Sequence, residues 1–429
     1  MNHVPQDSPG EPIFNPLSPE VIADPYPVYH RLRTTDPVHR SPLGFLVLSR
    51  HADVSSVLRD KRFGRDFVGR MTRRHGSRIF DEPVYRSLRH WMLHQDPPEH
   101  TRLRSLVVQA FSARRIDNMR PRIQEIVDRT LDRMAPRRQA DLIADFALHL
   151  PVTVISEMLG IPRDHHPIIF DRLGRRDDAQ DGAADRAALD RLANPPSHDE
   201  SADRLQPSRA ELDAANSGNL AVSEYFRQLI ALRRRQPRDD LTTQLVQAEE
   251  HGHRLSDEEI IGNIILLFGA GHETTVNLIG NAVLALYRHP DQLRLLRDEP
   301  ALMPNAVEEL LRYDSAIQLS GRAALADVAI GGAEVAKGES VLCLLGSANR
   351  DPAAYQEPDR LGIRRANIRP LSFGGGMHYC LGAQLARIET EIAISTLLRR
   401  LPGLTLDPGK ADWRPTFIHR GLKRLPAIW

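Results

Sequence analysis

The chain has 429 residues, 41% of them hydrophobic, which is enough for a sizeable buried core and, on length alone, for two or three domains. Its 57 Lys and Arg against 56 Asp and Glu leave a formal net charge of +1, so nothing global favours nucleic acid or an anionic membrane as partner. Cys343 and Cys380 are the only cysteines, which excludes a disulfide framework, a four-cysteine zinc site and an iron–sulfur cluster, and suits a cytoplasmic chain.

The opening MNHVPQDSPGEPIFNPLSPEV has no basic segment followed by an apolar core, so neither signal peptide nor anchor is expected. DPYPVYHRLRTTDPVHR begins with a short helix, and GFLVLSRHADVSSVLRD runs from an apolar strand into a second helix, which predicts a small N-terminal sheet. In DPPEHTRLRSLVVQAFS, Asp96 stands at an N-cap, a proline at the first helical position and Glu99 three residues after the cap, so a helix is predicted to start there. The segment from Arg175 to Asn219 is polar, and its NPPSHDESADRLQPS suits a mobile excursion. The competing reading is a solvated pair of helices, because DRAALDRLA and SRAELDAA can each form a helical turn or two.

The longest predicted helix starts from the capping box Ser256 to Glu259 and stops before Pro290. At 1.5 Å per residue it spans roughly 45 Å, and its middle is apolar nearly all round, as in a helix buried among helices. A membrane span is the weaker alternative, since Gly, His, Glu, Thr and Asn interrupt the run. A short helix around NAVEELLRYD, strands within VAIGGAEVAKGESVLCLLGS, a loop-rich stretch to Pro370 and a helix in LGAQLARIETEIAISTLLRRL complete a mainly helical chain with minor β structure. No fixed-period repeat appears.

Chemistry concentrates in SFGGGMHYCLG, Ser372 to Gly382, where Cys380 precedes the last helix. Free N–H groups and the helix dipole there favour a thiolate and can donate to a metal-bound sulfur. Glycines at 374, 375, 376 and 382 would let a large flat ligand approach. A zinc clip lacks two ligands, a phosphate loop lacks its glycine pattern, and a plain glycine turn before a buried cysteine stays open on this stretch alone. In AGHETT, Ala270 to Thr275, an ionisable Glu273 in a buried helix is costly without a partner or a task. Ala270 and Gly271 leave a dent there, and Thr274 can bond the Ala270 carbonyl or release it to a ligand; a satisfied structural kink is the alternative. Glu309 and Arg312 in EELLR are spaced to pair on a helix, and His100, Arg104, Arg322 and His378 are scattered cationic or donor residues.

Together these segments resemble the cytochrome P450 family, in its soluble bacterial class. FGGGMHYCLG fits the family's haem loop, Phe-Gly-x-Gly-x-His/Arg-x-Cys-x-Gly, at every defined position. AGHET fits its oxygen-activating pattern, EELLR its Glu-x-x-Arg pair, and NRDP with EPDR the meander before the cysteine. The resemblance implies one mainly α triangular-prism domain over residues 1–429, with 175–219 as its lid, holding haem b. It implies Cys380 as axial thiolate, with Phe373 packed beside it and Gly374, Gly376 and Gly382 making room for porphyrin. His100, Arg104, Arg322 and His378 would bind the propionates, Ala270 and Gly271 would line the haem, and Glu309, Arg312 and Arg360 would form a buried triad. Glu273 and Thr274 would deliver protons to dioxygen.

The same resemblance implies a monooxygenase that places one oxygen atom from O2 into a C–H or C=C bond, probed by contacts from Ile265, Phe268, Ile317, Leu319, Phe417 and Ile418, with Gln318 as polar handle. A polyketide, terpenoid, fatty acyl or carrier-tethered substrate would fit. Electrons would come from NAD(P)H through a ferredoxin or flavodoxin and its reductase, with Arg102, Arg114 and Arg115 as docking candidates, and the chain would act as a monomer without nucleic acid or membrane. A peroxide-driven enzyme and a non-catalytic haem-thiolate sensor are the alternatives; the sensor would not need Glu273 and Thr274. His272 has a weak claim to chemistry, and Cys343 reads as a buried apolar residue.

Overall fold

A computed structural model of the chain describes residue 14 and residues 18–41, 44–108, 111–166, 208–250 and 253–429. Near the N-terminus, helix α1 (Tyr26–Thr35) is followed by strands β1 (Val38–Arg40) and β2 (Phe45–Leu48), helix α2 (His51–Arg59) and strand β3 (Phe63–Gly64). The expected N-terminal sheet forms, but not from N-terminal strands alone. It is completed by β4 (Leu319–Ala324) and β5 (Ser340–Leu344) in the order β1, β2, β5, β4, β3, with β2 and β5 parallel and the other pairs antiparallel. This pairing sets Cys343 opposite Leu48, fully buried, with its thiol pushed up to about 12 by burial. A hairpin of Val328–Ile330 and Ala333–Val335 turns on Gly331 and Gly332, both at positive φ, as a tight two-residue turn requires.

Helix α3 (Glu99–Val108) begins later than expected. Asp96 is not its side-chain cap: the carboxylate instead accepts from the backbone N–H groups of Arg65 and Asp66, at 2.8 and 2.7 Å. Helices α4 (Arg120–Met134), α5 (His149–Met158) and α6 (Arg209–Arg235) follow. The SRAELDAA half of the polar segment therefore enters a 27-residue helix rather than an excursion, and residues 175–207 lie outside the described residues.

Helix α7 (Asp257–Arg288) has the full capping box: the Ser256 hydroxyl accepts from Glu259 N–H at 3.2 Å and the Glu259 carboxylate from Ser256 N–H at 2.8 Å. It packs against α5, α6, α8 (Met303–Tyr313) and α9 (Ala383–Arg400), at the centre of the largest apolar cluster. Each Leu or Ile it buries contributes about 1.5–3 kcal/mol, so tertiary packing rather than propensity holds it. Residues 260–268 and 275–286 are buried, whereas 269–274 are solvent-accessible. A helix walled in at both ends is thus open in its middle. Among the described residues no helix is long and apolar enough to cross a membrane.

Candidate active site

The cysteine loop is fixed at its entrance by polar bonds from distant segments. The Ser372 hydroxyl contacts that of Ser315 at 2.6 Å, donates to the Leu311 carbonyl at 2.7 Å and accepts from Asn349 Nδ2 at 2.9 Å, while Leu371 N–H donates to Asn349 Oδ1. The chain then folds back through Gly374 and Gly376, at φ +71° and +63°, until Cys380 N–H donates to the Phe373 carbonyl at 2.9 Å. Arg387 lies 4.6 Å over the Phe373 ring, and Arg104 donates to the Tyr379 carbonyl at 2.8 Å. Cys380 stands two residues before Gly382, the N-cap of α9, with its side chain accessible.

Protein packed around the accessible Cys380 pushes its thiol up, while the Gly382 N–H, Arg104 and Arg387 pull it down. The glycines also divide their work. A Cβ on Gly376 would run into the Leu58 carbonyl oxygen and lie 3.1 Å from Arg59 Cα, so this glycine seats the loop on α2 rather than admitting a flat ligand. Gly375 likewise faces Leu58. A Cβ on Gly382 would meet nothing within 4 Å, which leaves that side of the cysteine open to a planar group.

Beside the loop, cations converge from three elements. His100 on α3 is buried, with its ring 4.3 Å from that of His378. Arg322 on β4 is buried with its guanidinium bonded to Ser320 Oγ and the Gly321 carbonyl. Arg65, absent from the sequence-based set, joins them after β3 and donates to the same Gly321 carbonyl at 2.9 Å. Burial, then repulsion from Arg65, His100, Arg322 and Arg104, pushes His378 down to about 2. Burial, then Arg322 and Arg70, lowers Arg65 to about 9. His100 Nε2, His378 Nε2 and Arg65 Nε are buried without a hydrogen-bond partner. Buried donors that repel each other and lack acceptors define a site for an anion.

The accessible stretch of α7 exposes Ala270, and Thr274 Oγ1 donates to the Ala270 carbonyl at 2.9 Å. A Cβ on Gly271 would press on Ile155 of α5 at 3.2 Å, so this glycine serves helix packing. Glu273 is not in a dry interior: its side chain is 28% exposed and its Oε1 lies 3.5 Å from Nδ1 of His419. His272 turns away, with Nδ1 2.7 Å from the Phe268 carbonyl. Of the expected substrate contacts, Ile317, Phe417 and Ile418 are half-buried, and Ile265 and Leu319 are nearly buried. Phe268 and Gln318 are corrections. Each is 1% exposed, and Gln318 Nε2 is bonded to the Ser315 carbonyl, so neither faces an open space.

The triad also changes. Glu309 and Arg312 share two hydrogen bonds, at 2.7 and 2.9 Å, in full burial. Arg365, not Arg360, completes them, with Nε 3.2 Å from both Glu309 oxygens. The Arg360 side chain is 67% exposed beside Glu357, and only its carbonyl enters the network, accepting from Arg312 and Arg365. Two of the docking arginines are engaged: Arg102 by Glu99 and Glu259, and Arg115 by Asp239, while Arg114 is exposed. The signal for Arg65 lay in its place after a strand whose partner carries Arg322; His419 and Arg365 carried none that sequence spacing could read.

These features meet in known proteins. Residues 219–415 match the family model described as Cytochrome P450. The chain is 42% identical over 409 residues to Cytochrome P450 107B1 of Saccharopolyspora erythraea, covering 93% of each chain. Its fold matches the Bacillus subtilis cytochrome P450 PksS of the bacillaene polyketide synthase with a TM-score of 0.81 at 35% identity, over 97% of this chain and 99% of that one. It matches P450BioI, solved with a hexadec-9Z-enoic acid ligated acyl carrier protein, with a TM-score of 0.81 at 34% identity, over 96% of this chain and all of the other. The family match and these full-length relatives place the chain among the haem-thiolate enzymes. This chain is a member of the cytochrome P450 family, a monooxygenase. The family's cofactor is haem, and the residues fit it: one accessible cysteine, an open Gly382 side, and His100, His378 and Arg65 nitrogens buried without partners beside Arg322, suited to carboxylates.

Proposed function

We propose that the enzyme oxygenates a largely apolar small molecule of secondary metabolism, free or tethered to a carrier protein: R–H + O2 + NAD(P)H + H+ gives R–OH + H2O + NAD(P)+. The observation that carries this reading is an accessible Cys380 just before α9 in a chain of this family whose α7 is solvent-accessible where Thr274 and Glu273 stand. The polyketide relative and the relative solved with an acyl carrier protein support the substrate class.

In this reading Cys380 would hold the haem iron, and His100, His378, Arg65, Arg104 and Arg322 would hold the propionates. The bound haem supplies the oxidising chemistry. Thr274 would release its bond to the Ala270 carbonyl and hold a proton at Oγ1, and Glu273 would pass protons in from the accessible side. Apolar walls from Ile265, Ile317, Leu319, Phe417 and Ile418 exclude water from the reacting bond. Electrons reach the site from a ferredoxin or flavodoxin with its reductase, because two cysteines and no dinucleotide fingerprint leave no internal source. Thr274→Ala tests the reading: product per NAD(P)H should fall and hydrogen peroxide rise, and an unchanged yield would refute the proton role. Turnover by hydrogen peroxide alone, as efficient as with O2 and reductant, would instead favour the peroxide-driven alternative.

A further inference from the structure

Glu273, Asn277 and Asn281 recur at intervals of four, a polar stripe along one side of α7. The C-terminal segment His419–Gly421 lies along that stripe. Asn281 Nδ2 donates to the Arg420 carbonyl at 3.0 Å, a Cβ on Gly421 would collide with the Asn277 side chain, and His419 Nδ1 stands 3.5 Å from Glu273 Oε1.

The segment is held on its other side as well. His419 forms a β-bridge with Ile317, Gln318 N–H donates to the Ile418 carbonyl at 2.9 Å, and Arg420 N–H donates to the Ala316 carbonyl at 2.8 Å. The Arg420 guanidinium bonds Asp314 at 2.7 Å and stacks 3.7 Å over Trp413. The imidazole of His419 is therefore carried on a rigid frame, and it is the single charged or polar side chain paired with Glu273 among the described residues. A glutamate left alone at that position would sample several rotamers.

We propose that His419 is a positioning residue for Glu273, holding its carboxylate at the accessible stretch of α7 so that proton delivery keeps pace with oxygen reduction. The proposal rests on the reading of Glu273 and Thr274 as the proton-delivering pair. A polar ring in the wall next to Ile418 could instead bind substrate, and the two roles separate by experiment.

Holoenzymes carrying His419→Leu, His419→Gln, Glu273→Gln and the double change His419→Leu with Glu273→Gln would be compared with the parent, using a substrate found by its Soret shift. His419→Leu is expected to raise hydrogen peroxide per NAD(P)H by about 3- to 10-fold, a small part of the roughly 10²- to 10⁴-fold that a placed acid supplies. Substrate Kd from the optical titration should stay within about 2-fold, His419→Gln should restore most of the coupling, and His419→Leu should add nothing once Glu273→Gln is present. Independently of turnover, the ring signal of His419 in histidine-labelled ferrous carbonyl enzyme, assigned by its loss in His419→Gln, should move on Glu273→Gln. Equal uncoupling by His419→Leu in both backgrounds, a weakened Kd with coupling intact, or an unmoved ring signal would overturn the proposal. Unimpaired coupling in Glu273→Gln itself would instead refute the proton-pair reading beneath it.

Discussion

The rings of His100 and His378 stand 4.3 Å apart, and the Nε2 of each is buried without a hydrogen-bond partner. If these imidazoles bind propionates as proposed, they should cost stability in the haem-free protein and add it in the loaded one. His100→Phe should therefore leave the haem-free protein as stable or more so, since it removes an unsatisfied buried donor. It should speed haem transfer to a scavenger protein about tenfold, the effect of losing one charge-assisted bond of about 1.5 kcal/mol. Slower unfolding of the haem-free variant together with faster haem loss is the signature; unchanged haem loss would remove the cluster from the propionate role.

Arg365 and Arg360 offer a direct contrast. Arg365→Met strips a buried carboxylate of one guanidinium and should cost about 2–3 kcal/mol in urea unfolding, whereas Arg360→Met, at an exposed position, should cost less than about 0.5 kcal/mol. The reverse order would restore the arginine that the family resemblance implied.

That contrast marks where sequence was legible. The capping box of Ser256 and Glu259, the long buried helix and the cysteine loop were readable because each is local: a cap, a period and a spacing written in contiguous residues. The loop-rich stretch before Cys380 was not, because which arginine turns inward there depends on a backbone path without period. Asp96 looked like a cap by the same local rules and was taken by Arg65 and Asp66 instead. Phe268 and Gln318 were placed near the substrate by family position, yet each is 1% exposed, because neighbouring residues along a helix or strand face different sides. His419 pairs with a residue 146 positions upstream, counted from 419 and 273, and only the folded chain brings them together.

Gly376 and Gly382 should respond differently to the same methyl group. Gly376→Ala combines positive φ with a collision against the Leu58 carbonyl and should cost about 2–4 kcal/mol. Gly382→Ala, with ordinary φ and no neighbour within 4 Å, should leave the stability of the haem-free protein within about 0.5 kcal/mol. Thermal unfolding of the two haem-free variants decides it, and equal losses would contradict the division of roles.

His94 gives the fold a pH dependence away from the cysteine. Its ring stacks on Phe67 at 4.2 Å and on Trp91 at 5.5 Å, and burial lowers its pKa from 6.5 to about 4. The unfolded chain thus binds more protons at this residue between those values, so its contribution is full above about pH 6.5 and is lost as pH falls toward 4. His94→Phe keeps the stack without the titration and should shrink the drop in urea midpoint between about pH 7 and about pH 5. An equal drop in parent and variant would assign the acid sensitivity elsewhere.

The central claim is that Cys380 ligates the haem iron, and the carbon monoxide difference spectrum of the reduced holoenzyme tests it most directly. The parent protein should show the red-shifted Soret band of a thiolate-ligated ferrous carbonyl, and Cys380→Ser should bind haem without that band. A red-shifted band that survives in Cys380→Ser would contradict the account.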